Sequence, residues 1–297
     1  MDKLVVIAGT NASGKSGLGI KLAKHYGAEI VSADSRQVFK GLDLGSGKVS
    51  IDEMDGVPHY LLDVAKPNDF FSLAKYQELA YDAINDIISR KKKPFLVGGT
   101  GLYVNSVVDG YNLSKVEPTS EIRNLVESKS LEELIQILKE QNPDALERVD
   151  LQNKRRVERA VEKTLAGDLE VKESKPLYDT LVLGVTWERE TLYDRIRERL
   201  DRRLEEGMIK EVEMLRHDGA TDEFLYKLGL EYRYILMYLR GEFASYEDFY
   251  EKLFMEIRHL AKEQMTWFRK RKDIHWLDMS KDPYNEAIEL IDKFYES

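Results

Sequence analysis

The chain has 297 residues, of which 42% are hydrophobic and 33% charged, with no cysteine and a formal net charge of −9. That length implies one large domain or two smaller ones, and the lack of cysteine excludes disulfides and thiolate metal sites and fits a reducing cytoplasm. No apolar run reaches membrane-spanning length and the N-terminus lacks the apolar core of a signal peptide, so a cytoplasmic protein with no membrane partner is expected. The acidic total argues mildly against nucleic-acid binding, which leaves local basic clusters to decide.

In chain order, Leu4-Val5-Val6-Ile7-Ala8 reads as a buried strand. It runs into Gly9-Thr10-Asn11-Ala12-Ser13-Gly14-Lys15-Ser16, which fits G-x-x-x-x-G-K-[ST], and Leu18, Leu22 and Ala23 then recur at helical spacing. Glycines let such a loop curl its N–H groups onto phosphate oxygens, and the following helix offers its positive end. Lys15 adds a point charge, and Ser16 can put its hydroxyl on Mg²⁺. The loop predicts a phosphate or diphosphate ligand without saying which compound.

A second strand over 28–33 ends in Asp34-Ser35-Arg36-Gln37. The carboxyl end of a strand beside a phosphate loop is where open α/β sheets place their chemistry. Asp34 can ligate Mg²⁺, act as a general base, or cap the next segment, and its polar neighbours look like a substrate-reading loop. Residues 41–58 read as a surface loop with Lys48 solvated, and 57–64 as a strand in which His59, with no partner at metal-ligand spacing, is structural. The stripe Leu73, Tyr76, Leu79, Ala80, Ala83, Ile84, Ile87 and Ile88 predicts a helix over 72–90, closed by the basic run Arg90-Lys91-Lys92-Lys93. A third strand, Pro94-Phe95-Leu96-Val97, ends in Gly98-Gly99-Thr100-Gly101 rather than in an acid. Backbone stripped bare there lets something approach closely, and Thr100 supplies a hydroxyl.

From about residue 113 the character changes. Ser130-Leu131-Glu132-Glu133 is a capping box opening a helix, and another helix spans 151–166 with basic Lys154, Arg155 and Arg159 spread over its surface. Strand signals return only over 180–187, so a helical segment is inserted between strands. The next helix carries Arg195, Arg199, Arg202 and Arg203 on one side with acids interleaved, which predicts a salt-bridge lattice from which at least one arginine reaches the diphosphate. Beyond Met208 the chain is nearly all helix. A break at 228–233 makes Tyr232 and Arg233 available to stack and pair, and a long helix over 256–269 ends in Trp267-Phe268-Arg269-Lys270-Arg271-Lys272. Those aromatics beside a basic cluster suit nucleic acid, or are core beneath solvated charges. A last strand covers 274–277.

Together these motifs resemble the tRNA dimethylallyltransferase (tRNA isopentenyltransferase) family almost end to end. The resemblance rests on the loop 9–16, Ser32-Ala33-Asp34-Ser35-Arg36-Gln37-Val38-Phe39, Val57-Pro58-His59, Val97-Gly98-Gly99-Thr100-Gly101-Leu102-Tyr103, Arg155-Arg156-Val157-Glu158-Arg159-Ala160 and Thr266-Trp267-Phe268-Arg269. It implies an α/β fold: a P-loop NTPase-like core with a mainly parallel sheet over 1–112 and 181–297, and an inserted all-helical, tRNA-binding domain over 113–180. It also implies transfer of a dimethylallyl group from dimethylallyl diphosphate to N6 of the adenosine 3′ of the anticodon in tRNAs reading U-initial codons. In that scheme the loop residues Gly9, Thr10, Asn11, Ala12, Ser13, Gly14, Lys15 and Ser16 hold the diphosphate, with Mg²⁺ on Ser16. Asp34 matches the general base, Thr100 the hydroxyl near the bridging oxygen, and Arg199 the arginine that steadies the leaving diphosphate. Ser35, Arg36, Gln37, Gly101, Arg123, Arg155, Arg156 and Arg159 match positions that contact the tRNA anticodon stem-loop, and a monomer is expected. The chain departs from the family before Thr266, where Glu263 stands in place of a positive charge; this bears on tRNA affinity and leaves the chemistry untouched. Two other readings use the same loop: prenyl transfer to free adenine nucleotides, and a kinase of a small metabolite.

Overall fold

The computed structural model describes residues 1–113, 118–169 and 173–297. Six strands form one sheet: β1 (Lys3–Gly9), β2 (Glu29–Ser32), β3 (His59–Tyr60), β4 (Pro94–Gly98), β5 (Asp179–Thr186) and β6 (Ile274–Asp278). Their order is β3-β2-β4-β1-β5-β6, and every neighbouring pair is parallel. Parallel strands need crossovers, so helices cover both faces and the central strands read as continuous apolar runs. Alternation sorts their side chains. Leu4, Val6 and Ala8 join the larger core on one face, while Val5 and Ile7 join the smaller core on the other.

The smaller core packs α1 (Lys15–Tyr26) and α13 (Tyr284–Glu296) on the sheet. The larger takes α3 (Leu73–Ser89), α4 (Gly101–Val108), α8 (Arg189–Glu205), α9 (Met208–His217), α10 (Asp222–Leu228), α11 (Leu230–Leu239) and α12 (Tyr246–Phe268). A one-turn helix, α2 (Ile51–Met54), completes this unit, which comprises Met1–Gly110 and Pro176–Ser297. Residues Tyr111–Lys175 form a second compact unit. It contains α5 (Ser120–Glu127), α6 (Leu131–Gln141) and α7 (Lys154–Leu165) around Val126, Leu134, Leu138, Val157 and Val161. The Ser130 capping box is formed: the hydroxyl accepts from Glu133 N–H and the Glu133 carboxylate accepts from Ser130 N–H.

Several local expectations change. The strand over 57–64 shrinks to His59–Tyr60, because Leu61 and Asp63 take left-handed φ of 64° and 57° and leave the ladder. The loop over 41–58 is not merely surface: Leu42 is fully buried and a capping box at Ser50 starts α2. Lys48 is buried, not solvated, and donates to the Phe39 carbonyl, Asp43 and Asp63. The last long helix starts at Tyr246, capped by Ser245, ten residues before the expected 256, since Phe249, Leu253 and Phe254 already face the core. The strand expected over 180–187 runs over Asp179–Thr186.

Candidate active site

The carboxyl ends of three adjacent strands meet at one place. β1 and β4 pair Ala8 with Gly98, and β2 and β4 pair Ser32 with Val97. The segments that follow (the phosphate loop, Asp34–Gln37 in turns, and Gly99–Thr100) therefore emerge side by side. They line a cavity of about 280 Å³ with Asn11, Lys15, Ser16, Asp34, Thr100, Arg199, Glu231 and Gln264 in its wall. Close approach needs bare backbone: a Cβ on Gly98 would fall on the Ala33 carbonyl, and one on Gly9 would lie 2.8 Å from Ser13 Oγ.

The loop is curled by left-handed φ at Ala12 (57°) and Gly14 (86°), and α1 begins at Lys15. Ser13 Oγ donates to Thr10 O at 2.8 Å, and Lys15 Nζ donates to the same carbonyl at 3.2 Å. From outside, Trp187 Nε1 donates to Ser13 O at 2.8 Å and Arg195 Nε to Ala12 O at 3.1 Å, with the Arg195 guanidinium stacked on the Trp187 ring. These partners tie down the Ala12 and Ser13 carbonyls from outside the loop. Burial and the nearby Arg199 charge lower the Lys15 ammonium to about 8. Burial, then Arg203, press Arg199 down to about 9. Both stay largely charged at neutral pH, and both are relieved by an anion.

Asp34 both caps the turn after β2 and lines the cavity. Its Oδ1 accepts from the Arg36 N–H (2.9 Å) and the Gln37 N–H (3.3 Å), so the capping role is real. Among the described residues no hydrogen bond reaches its other oxygen, and the side chain lines the cavity. Thr100 N–H donates to Ala33 O at 3.1 Å, and Thr100 Oγ1 accepts from Ser35 N–H at 3.0 Å. The Thr100 hydroxyl in turn donates to Ser35 Oγ at 3.4 Å, a long bond that a stronger acceptor in the cavity would replace. Gln37 Nε2 donates to Gly47 O at 3.2 Å and ties the loop after β2 to the loop before α2.

The arginines of α8 divide differently from the expected lattice. Arg195, Arg199 and Arg203 lie at i, i+4 and i+8 on the inner face, but only Arg199 of the three lines the main cavity. Arg202 points outward and pairs with Glu206 at 3.7 Å, while Arg197 lies 4.0 Å from the Phe254 ring centroid. The break at 228–233 also serves otherwise than expected. Tyr232 is fully buried with its hydroxyl on Glu211, Arg233 stacks on Tyr226, and it is Glu231 that enters the cavity. Phe268 is core, whereas Trp267 lines the cavity against Gly101, where a Cβ would overlap the indole. Arg271 is not a solvated charge: it is nearly buried between Asp109 (2.8 Å) and Asp273 (2.6 Å).

Ser35, Arg36, Gln37 and Gly101 share the cavity wall with the phosphate loop. Arg123, Arg155, Arg156 and Arg159 belong to the separate Tyr111–Lys175 unit, where Arg156 pairs with Asp150 at 3.6 Å and Arg159 with Glu162 at 2.9 Å. Sequence reasoning did not single out Gln264, Glu231 or Arg203 as site residues. Gln264 sits in the run before Thr266 but has no local signal for its partners: its Oε1 accepts from Asn11 N–H and its Nε2 donates to Gly99 O, each at 2.9 Å. Among the described residues no cluster of three or more His, Asp or Glu forms a metal cage, and no helix is long and apolar enough to cross a membrane.

Comparison with known proteins identifies the family. A family model described as IPP transferase matches residues 37–271, beginning just past Asp34. The tRNA dimethylallyltransferase of Acetivibrio thermocellus is 39% identical over 99% of this chain and 97% of its own length. The tRNA dimethylallyltransferase 2 of Citrifermentans bemidjiense is 41% identical over 99% and 96%. Among solved structures, the full-length tRNA isopentenylpyrophosphate transferase of Bacillus halodurans superposes with a TM-score of 0.74 at 35% identity, covering 100% of this chain and 99% of the other. A eukaryotic dimethylallyltransferase acting on tRNA superposes with a TM-score of 0.84 at 26% identity, covering 100% and 80%.

Proposed function

We propose that this chain, which belongs to the IPP transferase family, transfers a dimethylallyl group from dimethylallyl diphosphate to N6 of an adenosine in tRNA, the one 3′ of the anticodon in tRNAs reading U-initial codons. The observation that carries this reading is the mixed character of one cavity. Lys15 and Arg199 form a cationic end at the phosphate loop, Asp34 offers an open carboxylate oxygen in the same wall, and Leu102, Leu260 and Trp267 add apolar wall.

In the reaction, the bond from the prenyl C1 to the bridging oxygen breaks and its electron pair stays on diphosphate. A bond forms from C1 to N6, and the N6 proton passes to Asp34. Negative charge grows on the leaving group, so donors fixed beforehand are favoured. Arg199 faces that charge, and the Thr100 hydroxyl would turn from Ser35 Oγ, 3.4 Å away, to donate toward the bridging oxygen. Ser16, in the cavity wall, fits Mg²⁺, which keeps several waters and is held by one or two protein oxygens plus substrate phosphates rather than by a protein cage. When bound, it would supply further charge to the diphosphate. The target base must leave its stack to enter, so an unpaired loop adenosine is favoured. On this reading Ser35, Arg36, Gln37 and Gly101 meet the base and its neighbours, and Arg123, Arg155, Arg156 and Arg159 meet phosphates.

The test uses purified protein, Mg²⁺ and labelled dimethylallyl diphosphate, with unmodified tRNA or AMP as acceptor. Label in tRNA alone, lost when the adenosine 3′ of the anticodon is replaced, is expected. Label in AMP alone, or in neither, overturns the proposal.

A further inference from the structure

Glu231 is a buried acid set among the arginines of the site, Arg36, Arg199 and Arg203. It lies in the first turn of α11, where the helix dipole favours an acid, and its side chain is 5% exposed. One oxygen accepts from Arg36 Nη1 at 2.9 Å; the other faces Arg203 Nη1 at 3.8 Å. Arg203 is itself nearly buried, one turn along α8 from Arg199. Both guanidiniums lie against Gly47, whose left-handed φ of 64° and missing side chain make room for them: a Cβ there would fall on the Arg203 guanidinium and lie 2.8 Å from Arg199 Nη2. Arg199, by contrast, makes no hydrogen bond or ion pair among the described residues.

We propose that Glu231 is a positioning residue that partitions the three guanidiniums: it engages Arg36 and Arg203 and thereby leaves Arg199 alone unpaired for the diphosphate. Without the carboxylate, Arg203 becomes a second uncompensated cation behind the diphosphate end of the cavity. Without Arg203, the freed oxygen of Glu231 acts on Arg199, whose charge it already feels across the same cavity. The two removals therefore act in opposite directions on an anion, which loss of a merely structural contact does not do. This inference rests on the donor-site reading above.

The experiment measures inorganic pyrophosphate binding with Mg²⁺ by calorimetry on the full chain, alongside thermal melts. Glu231→Gln should tighten pyrophosphate by about tenfold, and Arg203→Met should weaken it by about tenfold, each equivalent to roughly one pKa unit of differential interaction. The double variant Arg203→Met/Glu231→Gln, which removes both members of the pair, should return to within about twofold of the parent. If both single variants weaken binding, or neither moves it, the partition is wrong. If Glu231→Gln does not fold, Arg203→Met decides alone, and unchanged or tighter binding refutes the inference. No pyrophosphate binding by the parent protein would instead overturn the donor-site reading, and this inference with it.

Discussion

Replacing Gln264 by alanine tests how the cavity is held open. The residue lies in the last turns of α12 and spans two loops that come from adjacent strands. Its Oε1 accepts from the Asn11 N–H of the phosphate loop and its Nε2 donates to the Gly99 carbonyl, both at 2.9 Å. The donor must face a carbonyl and the acceptor an N–H, so only one orientation of the amide satisfies both. A protein hydrogen bond contributes about 1 kcal/mol net, and a buried partner left unmade costs about 1–3 kcal/mol. Asn11 and Gly99 line the cavity, where water can replace the lost amide, so the lower end applies and about 2 kcal/mol is expected for the pair. In a unit of this size that lowers Tm by roughly 4–8 °C. With Asn11 released, the loop's N–H groups lose alignment, and KM for dimethylallyl diphosphate should rise more than kcat falls. Gln264→Glu sharpens the test. A carboxylate can still accept from Asn11, but it sets an oxygen against Gly99 O and a negative charge beside the incoming diphosphate. It should raise the donor KM at least as much as alanine does. Calorimetric melts and steady-state kinetics read both variants; if both keep the parent Tm and donor KM, the clasp has no such role.

Asp34→Asn keeps an oxygen for the Arg36 and Gln37 N–H groups, so the fold and Tm should hold while kcat falls by about 10²–10⁴, the span of general base catalysis; near-parent turnover would remove Asp34 from the base role. Gly47→Ala places a side chain on the Arg203 guanidinium at a left-handed φ, and should destabilise by about 1–3 kcal/mol in urea titration; an unchanged midpoint would show that the loop does not seat these arginines. Lys15 is charged below its pKa, and burial brings that value from 10.5 to about 8. The charged form is therefore lost as pH rises through about 8, and kcat/KM for the donor, which reports the free enzyme, should fall above that pH; a profile flat to about pH 10 would refute the assignment.

Much of the fold was legible because the chain states it locally. The apolar runs of β1, β4 and β5, the stripe of α3 and the Ser130 capping box are short-range patterns whose period reports burial. The phosphate loop was legible for the same reason: its glycines, lysine and serine must be consecutive for N–H groups, ammonium and hydroxyl to converge on one anion. Asp34 and Thr100 could be singled out because each ends a strand, and parallel strands bring their carboxyl ends to one edge. Local pattern did not reveal that Gln264, more than 250 residues from Asn11, joins that loop to Gly99. Nor could it separate Arg199 from Arg195, Arg202 and Arg203. Helical spacing puts several of them on one side, whereas packing against Trp187, Gly47 and Glu231 assigns one to the loop's carbonyls, one to the cavity, and one to a buried pair. Those assignments depend on contacts between segments far apart in the chain, where no sequence period operates. Side-chain roles at the site were therefore decided by tertiary packing, while the scaffold that carries them was written in local chemistry.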